Sequence, residues 1–231
     1  MNTRWTLQNK TAIVTGATEG IGFGIAEELL QFGARVMIVA RRPERLEERL
    51  SAWRAQGKEV YGFAADLLDP ESPTRINAEL ERLGLGLDIL INNTGTNIRK
   101  ATLEYTAEEY ARVMQLNLNS AFAMSQRLHP KLKQSGAGSI ANISSVAGFT
   151  SVGTGAPYAM SKAALDQLTR YLAVEWAGDG IRVNAVAPWY IKTPLAAPVL
   201  ANPERLSLIL SRTPINRVGE PNEVASLVAF L

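Results

Sequence analysis

The sequence contains no cysteine and only one histidine among its 231 residues. Without thiols the chain forms no disulfide bonds and offers no thiolate ligands to a metal ion, which is compatible with a reducing compartment. The one histidine, His129, has no other metal-ligating side chain at a useful spacing. We therefore predict that the protein has no metal site.

Long hydrophobic runs and a strong charge imbalance are missing as well. No apolar stretch approaches the roughly 20 residues that cross a bilayer, and the N-terminal MNTRWTLQNK lacks the apolar core of a secretion signal. Lys and Arg number 24 against 22 Asp and Glu, with no dense basic tract to follow a phosphate backbone. We expect a cytoplasmic protein that binds neither membranes nor nucleic acid.

Short β-rich apolar runs alternate with longer segments of helical period, which is typical of βαβ units around a parallel sheet. The predicted strands are 11–15, 35–40, 59–65, 88–92, 139–144 and 182–187. The predicted helices are 20–32, 43–56, 71–83, 106–134 (two helices or one long bent helix) and 157–177. No linker or repeat interrupts the alternation, so the sequence predicts an α/β fold with one domain over residues 1–231 and a doubly wound parallel sheet.

The first junction between a strand and a helix reads TGATEGIG, with glycines at Gly16, Gly20 and Gly22. Glycine lets the backbone turn tightly and approach a pyrophosphate, whose charge is met by free N–H groups at the start of the next helix. This junction predicts a dinucleotide site. Three glycines in such a turn are also compatible with a purely structural role.

Two arginines, Arg41 and Arg42, follow the second predicted strand. Dinucleotide folds place an acidic residue here for a ribose 2′-hydroxyl, or a basic residue for a 2′-phosphate. A guanidinium binds phosphate in a bidentate manner, so this position favours NADP(H) over NAD(H). Alternatively, the arginines are solvated and pair with glutamates of the next helix. Glu19 in the glycine turn would weaken a phosphate site if its carboxylate lay nearby.

The stretch YAMSK places Tyr158 and Lys162 four positions apart at the start of a predicted helix. Four residues return nearly to the same helix face, so the two side chains share one surface, an arrangement that many helices show by chance. A serine hydroxyl is expected near this pair. Ser144 and Ser145 lie at the end of a predicted strand, with Ser145 thirteen residues before Tyr158. A hydroxyl, a phenol and an ammonium are thus expected beside the dinucleotide.

Taken together, these motifs resemble those of the short-chain dehydrogenase/reductase family, and within it the tropinone reductase-like members. The matching motifs are TGATEGIG (15–22), NNTG (92–95), Asn117 in QLNLN, Ser145 in NISS, Tyr158 with Lys162, and VNAVAPWYIKTPL (183–195). They occur in the family's order over nearly the whole chain. The resemblance implies a Rossmann fold with three α/β/α layers.

The resemblance also implies a mechanism, in which a hydride passes between a nicotinamide and a carbonyl. Tyr158 is the implied proton donor, Ser145 polarises the carbonyl oxygen, and Lys162 lowers the pKa of the phenol and holds the nicotinamide ribose. Asn117 is expected to anchor a water that relays protons to the lysine.

The implied contacts to NADP(H) extend over the whole edge of the sheet. They are Gly16, Thr18, Glu19, Gly20, Ile21, Gly22, Arg41, Arg42, Asp66, Leu67, Asn93, Gly95, Tyr158, Lys162, Pro188, Ile191 and Thr193. Asp66 is placed to accept a hydrogen bond from the adenine amino group, although it could equally cap a helix.

An apolar segment interrupted by prolines, residues 189–214, is interpreted as a lid with short helices over the substrate. The candidate substrate walls are Ile98, Phe149, Trp189, Tyr190 and Leu195, all of which core packing would explain equally well. The resemblance implies a homo-oligomer, a tetramer or a dimer. It also implies a final strand after residue 231, and if the protein lacked that strand we would expect a weakened tetramer interface.

These observations predict an NADPH-dependent carbonyl reductase for a small or cyclic, largely apolar ketone. The alternative within the same class is a 3-oxoacyl-[acyl-carrier-protein] reductase, which would need a basic docking patch that the sequence does not clearly show. The alternative from another class is a dinucleotide-binding sensor or scaffold without turnover. The complete set of Asn117, Ser145, Tyr158 and Lys162 argues against it, because a binding protein has no need of a proton donor.

Overall fold

The computed structural model describes residues 5–231 and contains one parallel sheet of six strands in the order β3-β2-β1-β4-β5-β6. The strands are β1 (Thr11–Thr15), β2 (Arg35–Ala40), β3 (Val60–Ala64), β4 (Ile89–Asn92), β5 (Gly138–Ile143) and β6 (Ile181–Val186). Each predicted strand boundary lies within about one residue of the observed one, which is closer than pattern reasoning usually achieves. The predicted doubly wound α/β fold is confirmed.

Helices cover both faces of this sheet. They are α1 (Gly20–Gln31), α2 (Pro43–Ala55), α3 (Ser72–Arg82), α4 (Ala107–Met114), α5 (Ser120–Gln134), α6 (Ala156–Glu175), α7 (Ala197–Leu200), α8 (Pro203–Ser211) and α9 (Pro221–Phe230). The long segment predicted at 106–134 is a pair of helices joined by a π-helical turn at Gln115–Asn119. Within residues 5–231, none of the helices has the length and hydropathy needed to cross a bilayer.

The strands are buried on both sides, which explains their unbroken apolar sequences. Successive side chains of β1 point to opposite faces, so Ala12 and Val14 join one hydrophobic cluster while Ile13 joins the other. The first cluster lies under α1, α2 and α9, and the second under α3, α5 and α6. The sheet thus separates two apolar layers. Polar groups can lie at the carboxyl ends of its strands, which neither layer covers.

Helix α9 was not predicted from the sequence, and it completes the layer beside α1. Val224, Ala225 and Val228 are buried in the same cluster as the apolar residues of α1. The two helices approach closely, because a Cβ added to Gly24 would lie 3.3 Å from the backbone of Pro221. This close packing fixes the position of α1, whose first turn contributes to the cleft described next.

Candidate active site

A cleft of about 320 Å³ opens along the carboxyl ends of the strands, where ligands of doubly wound sheets bind. Its walls come from the segments that follow each of the six strands. All residues predicted for the site line this cleft except Gly22, Ile98, Asn117 and Phe149. The structure therefore brings most of the predicted site into one continuous cavity.

The glycine turn forms the floor of one end of the cleft. Gly16 and Gly20 have φ angles of +68° and +62°, which side chains with a Cβ rarely adopt. Gly22 is buried beneath the turn rather than in the cleft wall, because a Cβ there would lie 2.4 Å from both Asn93 Nδ2 and Gly16 O. Glu19 precedes α1 without a capping hydrogen bond from its side chain. The N–H groups in the first turn of α1 are thus available to a ligand. The glycine turn and these N–H groups together are suited to bind a pyrophosphate.

The sequence left open that Arg41 and Arg42 pair with glutamates of the next helix. Within residues 5–231, neither arginine forms an ion pair with a glutamate of α2. Arg42 lies 3.8 Å from the Glu19 carboxylate, and Arg45 lies 2.6 Å from it. Among the residues that the structure describes, Arg41 has no carboxylate partner, and it is exposed at the cleft. The carboxylate of Glu19 is thus neutralised by two arginines, and Arg41 remains available to a phosphate.

Asp66 lines the same end of the cleft and forms a local turn instead of capping a helix. Its Oδ1 accepts a hydrogen bond from the Leu68 N–H at 3.0 Å, and its backbone carbonyl accepts one from Ser72 Oγ at 2.7 Å. The residue that precedes α3 is Glu71. Asp66 therefore does not cap α3, and within residues 5–231 its Oδ2 atom has no hydrogen-bond partner and is available to a ligand.

Asn117 is 1% exposed and lies behind the cleft wall, within the π-helical turn. Its Oδ1 accepts a hydrogen bond from the Thr96 N–H at 2.8 Å, while its Nδ2 donates to Thr96 O at 2.9 Å and to Ser161 Oγ at 3.1 Å. The side chain therefore ties the segment after β4 to α6. It holds Gly95 so that a Cβ there would lie 3.7 Å from Lys162 Nζ.

At the other end of the cleft, α6 presents Tyr158 and Lys162 on one face, with the ammonium 5.7 Å from the centre of the phenol ring. Lys162 is 4% exposed, and its Nζ donates a hydrogen bond to Ile143 O at 2.7 Å. Burial lowers the pKa of Lys162 to about 8, and the carboxylate of Asp166 opposes this effect. Two of the three ammonium N–H groups have no partner within the described residues.

Tyr158 is half-buried, and partial loss of water around the phenol raises its pKa above the ordinary value. The Ser145 hydroxyl and the charge of Arg99 lower the pKa in part, while Tyr190 raises it further. The sequence-based expectation was a pKa lowered by Lys162. The protein's own groups give the opposite net direction, because loss of water around the phenol outweighs the neighbouring charges.

Ser145 begins a short 3₁₀ turn at Val146–Gly148, directly after β5. Its Oγ accepts a hydrogen bond from the Ala147 N–H at 3.2 Å, so its own hydrogen is available to another acceptor. The turn packs against α6, since a Cβ on Gly148 would lie 2.5 Å from Asp166 Oδ2. Ser145 is thus held at the same end of the cleft as Tyr158.

The wall at this end differs in part from the predicted substrate wall. Trp189 Nε1 donates to Thr213 Oγ1 at 3.1 Å, and the Tyr190 ring packs edge-on against the indole at 4.7 Å. Ile98 does not line the cleft, and its backbone carbonyl accepts a hydrogen bond from the Tyr105 hydroxyl. Phe149 is 61% exposed and borders a separate groove. These two side chains therefore lie outside the cleft wall.

Arg99 lines the cleft and was not selected by the sequence reasoning. It stands four positions beyond Gly95, past the end of the NNTG motif and outside every recognised motif of the sequence. The only sequence signal was a pair of basic residues, Arg99 and Lys100, seven positions after the strand's carboxyl end.

Known oxidoreductases resemble this chain over nearly its whole length. A family model described as enoyl-(acyl carrier protein) reductase matches residues 16–231. A tropinone reductase homolog from Arabidopsis thaliana is 52% identical over 229 residues, which are 99% of this chain and 87% of the relative.

Solved structures resemble the whole chain as well. Gluconate 5-dehydrogenase from Burkholderia cenocepacia, crystallised with NADP and tartrate, is 30% identical with a TM-score of 0.94, over 99% of this chain and 90% of that one. The Pseudomonas aeruginosa RhlG/NADP active-site complex is 36% identical with a TM-score of 0.92, over 99% and 91% of the two chains.

Proposed function

The chain belongs to the short-chain dehydrogenase/reductase family of oxidoreductases, and from this membership we propose that it is an NADPH-dependent carbonyl reductase for a small or cyclic, largely apolar ketone. The observation that carries the proposal is the position of Ser145, Tyr158 and Lys162 in the wall of one cleft with the glycine turn. The similarity to a tropinone reductase homolog supports a carbonyl substrate.

The cofactor of the proposed reaction is NADP(H). Two similar structures are named as NADP complexes, which supports the same cofactor class here. Within this chain, Arg41 has no carboxylate partner among residues 5–231, and the Glu19 carboxylate is already paired with Arg45 and Arg42. Both features favour a ligand that carries a phosphate on the adenosine ribose.

In this reaction bound NADPH supplies the hydride, and the protein handles the proton and the carbonyl oxygen. A phenol is ordinarily protonated at neutral pH, and burial raises the pKa of Tyr158 further, so the group is available to donate its proton to a ketone oxygen. Ser145 has a free hydroxyl hydrogen to direct at the same oxygen. Lys162 stabilises the phenolate that remains after the proton leaves, since its ammonium lies 5.7 Å from the ring centre.

Lys162 has a second proposed role, because its ammonium has two N–H donors beyond the bond to Ile143 O. Gly95 leaves space beside the ammonium, since a Cβ there would lie 3.7 Å from Lys162 Nζ. We assign the two donors to the nicotinamide ribose hydroxyls. Asn117 acts behind this wall by holding the segment that contains Gly95 and Thr96, and the water-relay role remains a proposal for it.

The segment 189–214 is proposed as the substrate lid, and it contains α7 and α8. The lid contacts the body through the bond from Arg99 Nη2 to Leu195 O at 3.3 Å.

The proposal also includes a homo-oligomer. Exposed apolar side chains on α5 and α6, namely Phe122, Met160, Tyr171 and Val174, support a surface that a second copy would cover. Cytoplasmic location remains a prediction.

The proposal is tested with a panel of carbonyl compounds and the purified protein, by following the loss of NADPH absorbance. The panel contains cyclic ketones, open-chain ketones and an acetoacetyl thioester, each measured with NADPH and with NADH. We expect cyclic ketones to be reduced with NADPH and the thioester to be a poor substrate. Preferred reduction of the thioester would favour the acyl-carrier alternative, and no turnover of any compound would favour a sensor or scaffold.

A further inference from the structure

Arg99 gives the catalytic end of the cleft a positive charge that the proposed reaction does not use. The residue lies in the segment between β4 and α4, seven positions after Asn92, which ends β4. Its guanidinium lines the same cleft as Ser145 and Tyr158. Its charge opposes part of the increase that burial causes in the pKa of Tyr158, so it lies within electrostatic reach of the reacting oxygen.

The hydrogen-bonding capacity of Arg99 is mostly unused. A guanidinium has five N–H donors in a fixed plane, and here Nη2 donates to Leu195 O at 3.3 Å. The Nε atom is buried and has no hydrogen-bond partner in the described part of the chain. A buried donor without a partner is unfavourable by about 1–3 kcal/mol, and the Nη atoms that line the cleft are the ones a ligand could contact.

No carboxylate of the cleft neutralises this charge. The acidic side chains among the cleft-lining residues are Glu19 and Asp66, and both lie at the nucleotide end. Glu19 is paired with Arg42 and Arg45, and no ion pair of Arg99 is formed within residues 5–231. A second cation, Arg112 at the end of α4, also lines the cleft.

We propose that the substrate is an oxo acid, an apolar ring or chain that carries both the ketone and a carboxylate, and that Arg99 binds the carboxylate. This inference rests on the proposed function for the ketone reduction and adds the charged group. The end of a guanidinium formed by its two Nη atoms can face the two oxygens of a carboxylate, and in Arg99 only one N–H of these two atoms is engaged, by Leu195 O, within residues 5–231. The apolar part of the substrate contacts Trp189, Tyr190 and Leu195.

The bond between Arg99 and Leu195 O connects this carboxylate site to the proposed lid. An anion that engages Arg99 thus fixes a side chain that already holds the lid segment. Arg99 therefore determines which substrates bind, because it contacts their carboxylate. The proton is still donated by Tyr158.

The test compares 4-oxocyclohexanecarboxylate with its methyl ester, which have the same ring and the same ketone but differ in charge. With wild-type protein and NADPH we expect kcat/KM for the acid to exceed that for the ester about tenfold, as one charged hydrogen-bonded contact provides. In Arg99→Gln this ratio is expected to approach about one, as an unpaired amide no longer distinguishes the two. Any effect of Arg99 on Tyr158 is shared by both substrates, so it cancels in the ratio.

The matched control is Arg127→Gln, because Arg127 is exposed, does not line the cleft, and donates to Thr74 Oγ1. This variant is expected to keep the wild-type ratio. The wild-type comparison stands alone if Arg99→Gln fails to fold. A ratio of one or below in the wild type, or an unchanged ratio in a folded Arg99→Gln, would overturn the inference.

A binding measurement separates this inference from the proposed function. Calorimetric titration of the wild type with cyclohexanecarboxylate, in the presence of NADPH, uses a ligand that has no ketone to reduce. Binding that is lost in Arg99→Gln, in a protein that reduces no ketone, would support the carboxylate site and refute the reductase. Reduction of neutral ketones without binding of cyclohexanecarboxylate would support the reductase and refute the carboxylate site. If the protein neither reduced a ketone nor bound the carboxylate, both proposals would be refuted.

Discussion

The two ends of the cleft use different kinds of groups. At the nucleotide end, glycine backbone and exposed charges form the surface, and Glu19 is balanced by Arg45 and Arg42. At the catalytic end, Lys162 is buried and Tyr158 half-buried on one helix face, and both have shifted pKa values. One end therefore resembles a solvated binding surface, and the other resembles a protein interior with ionisable groups.

This difference indicates how each end responds to mutation. Exposed charges are screened by water and salt, so a single change at the nucleotide end alters cofactor affinity by a limited amount. Buried ionisable groups act at short range in a poorly solvated environment, so a change at the catalytic end alters the chemical step much more. The predictions below test this contrast in order of expected size.

The largest effect is expected from Tyr158→Phe, which removes the proton donor and keeps the ring. Positioned acid catalysis contributes roughly 10²- to 10⁴-fold, so kcat for ketone reduction should fall by that factor. Single-turnover oxidation of NADPH with saturating ketone measures the loss. Turnover within about twofold of wild type would remove Tyr158 from the mechanism.

The second effect is a pH dependence at the catalytic end. Lys162 has a pKa of about 8, so it is charged below that pH and loses its proton as the pH rises through it. Tyr158 keeps its proton over this range because burial raises its pKa. We expect kcat/KM for ketone reduction to fall about tenfold per pH unit above the pKa of Lys162.

Asp166→Asn sharpens this prediction, because the Asp166 carboxylate raises the pKa of Lys162. Without that charge the falling limb of the profile should move to lower pH. The profile is measured from pH 6 to pH 10 at constant ionic strength, values chosen to bracket the lysine. A limb that stays in place or moves to higher pH would contradict the assignment to Lys162.

A smaller effect is expected at the nucleotide end from Arg41→Ala. The change removes a guanidinium that has no carboxylate partner in the described chain, and a charged hydrogen bond of this kind corresponds to roughly a tenfold change in affinity. We expect KM for NADPH to rise by about that factor, with KM for NADH changing less than about twofold. Arg54→Ala is the control, because Arg54 pairs with Glu47 on the outer side of α2. Equal losses for both cofactors would contradict the phosphate assignment.

The smallest effect is expected from Glu19→Gln. Its carboxylate is 2.6 Å from Arg45 and 42% exposed, so its charge is already compensated and screened. The affinity for NADPH should change by less than about threefold, measured by fluorescence titration. An increase of tenfold or more would mean that this carboxylate acts on the phosphate in spite of its arginine partners.

Much of the fold follows from local sequence. The strands of the sheet are runs of apolar and β-branched residues buried on both faces, so their limits are visible in the pattern. Helix α9 was missed because its sequence, PNEVASLVAF, is short and its apolar residues become informative only when packed on α1. The break between α4 and α5 is a π-helical turn, which has no clear periodic signature.

The site was predictable where it depends on motifs and not where it depends on tertiary packing. The glycine turn and the pair Tyr158 and Lys162 have fixed spacings that place them at strand ends. The direction of the Tyr158 pKa shift required knowledge of burial, which the sequence does not contain. Arg99 and Phe149 occupy loops after strands, and only the folded chain determines which of the two faces the cleft.

The most direct test of the contrast is the NADPH dissociation constant of Tyr158→Phe, measured beside its single-turnover rate. If the cleft has a binding end and a separate catalytic end, the dissociation constant should stay within about threefold of wild type while the rate falls at least about 100-fold. A folded variant that no longer binds NADPH, or that binds and turns over like wild type, would contradict this account.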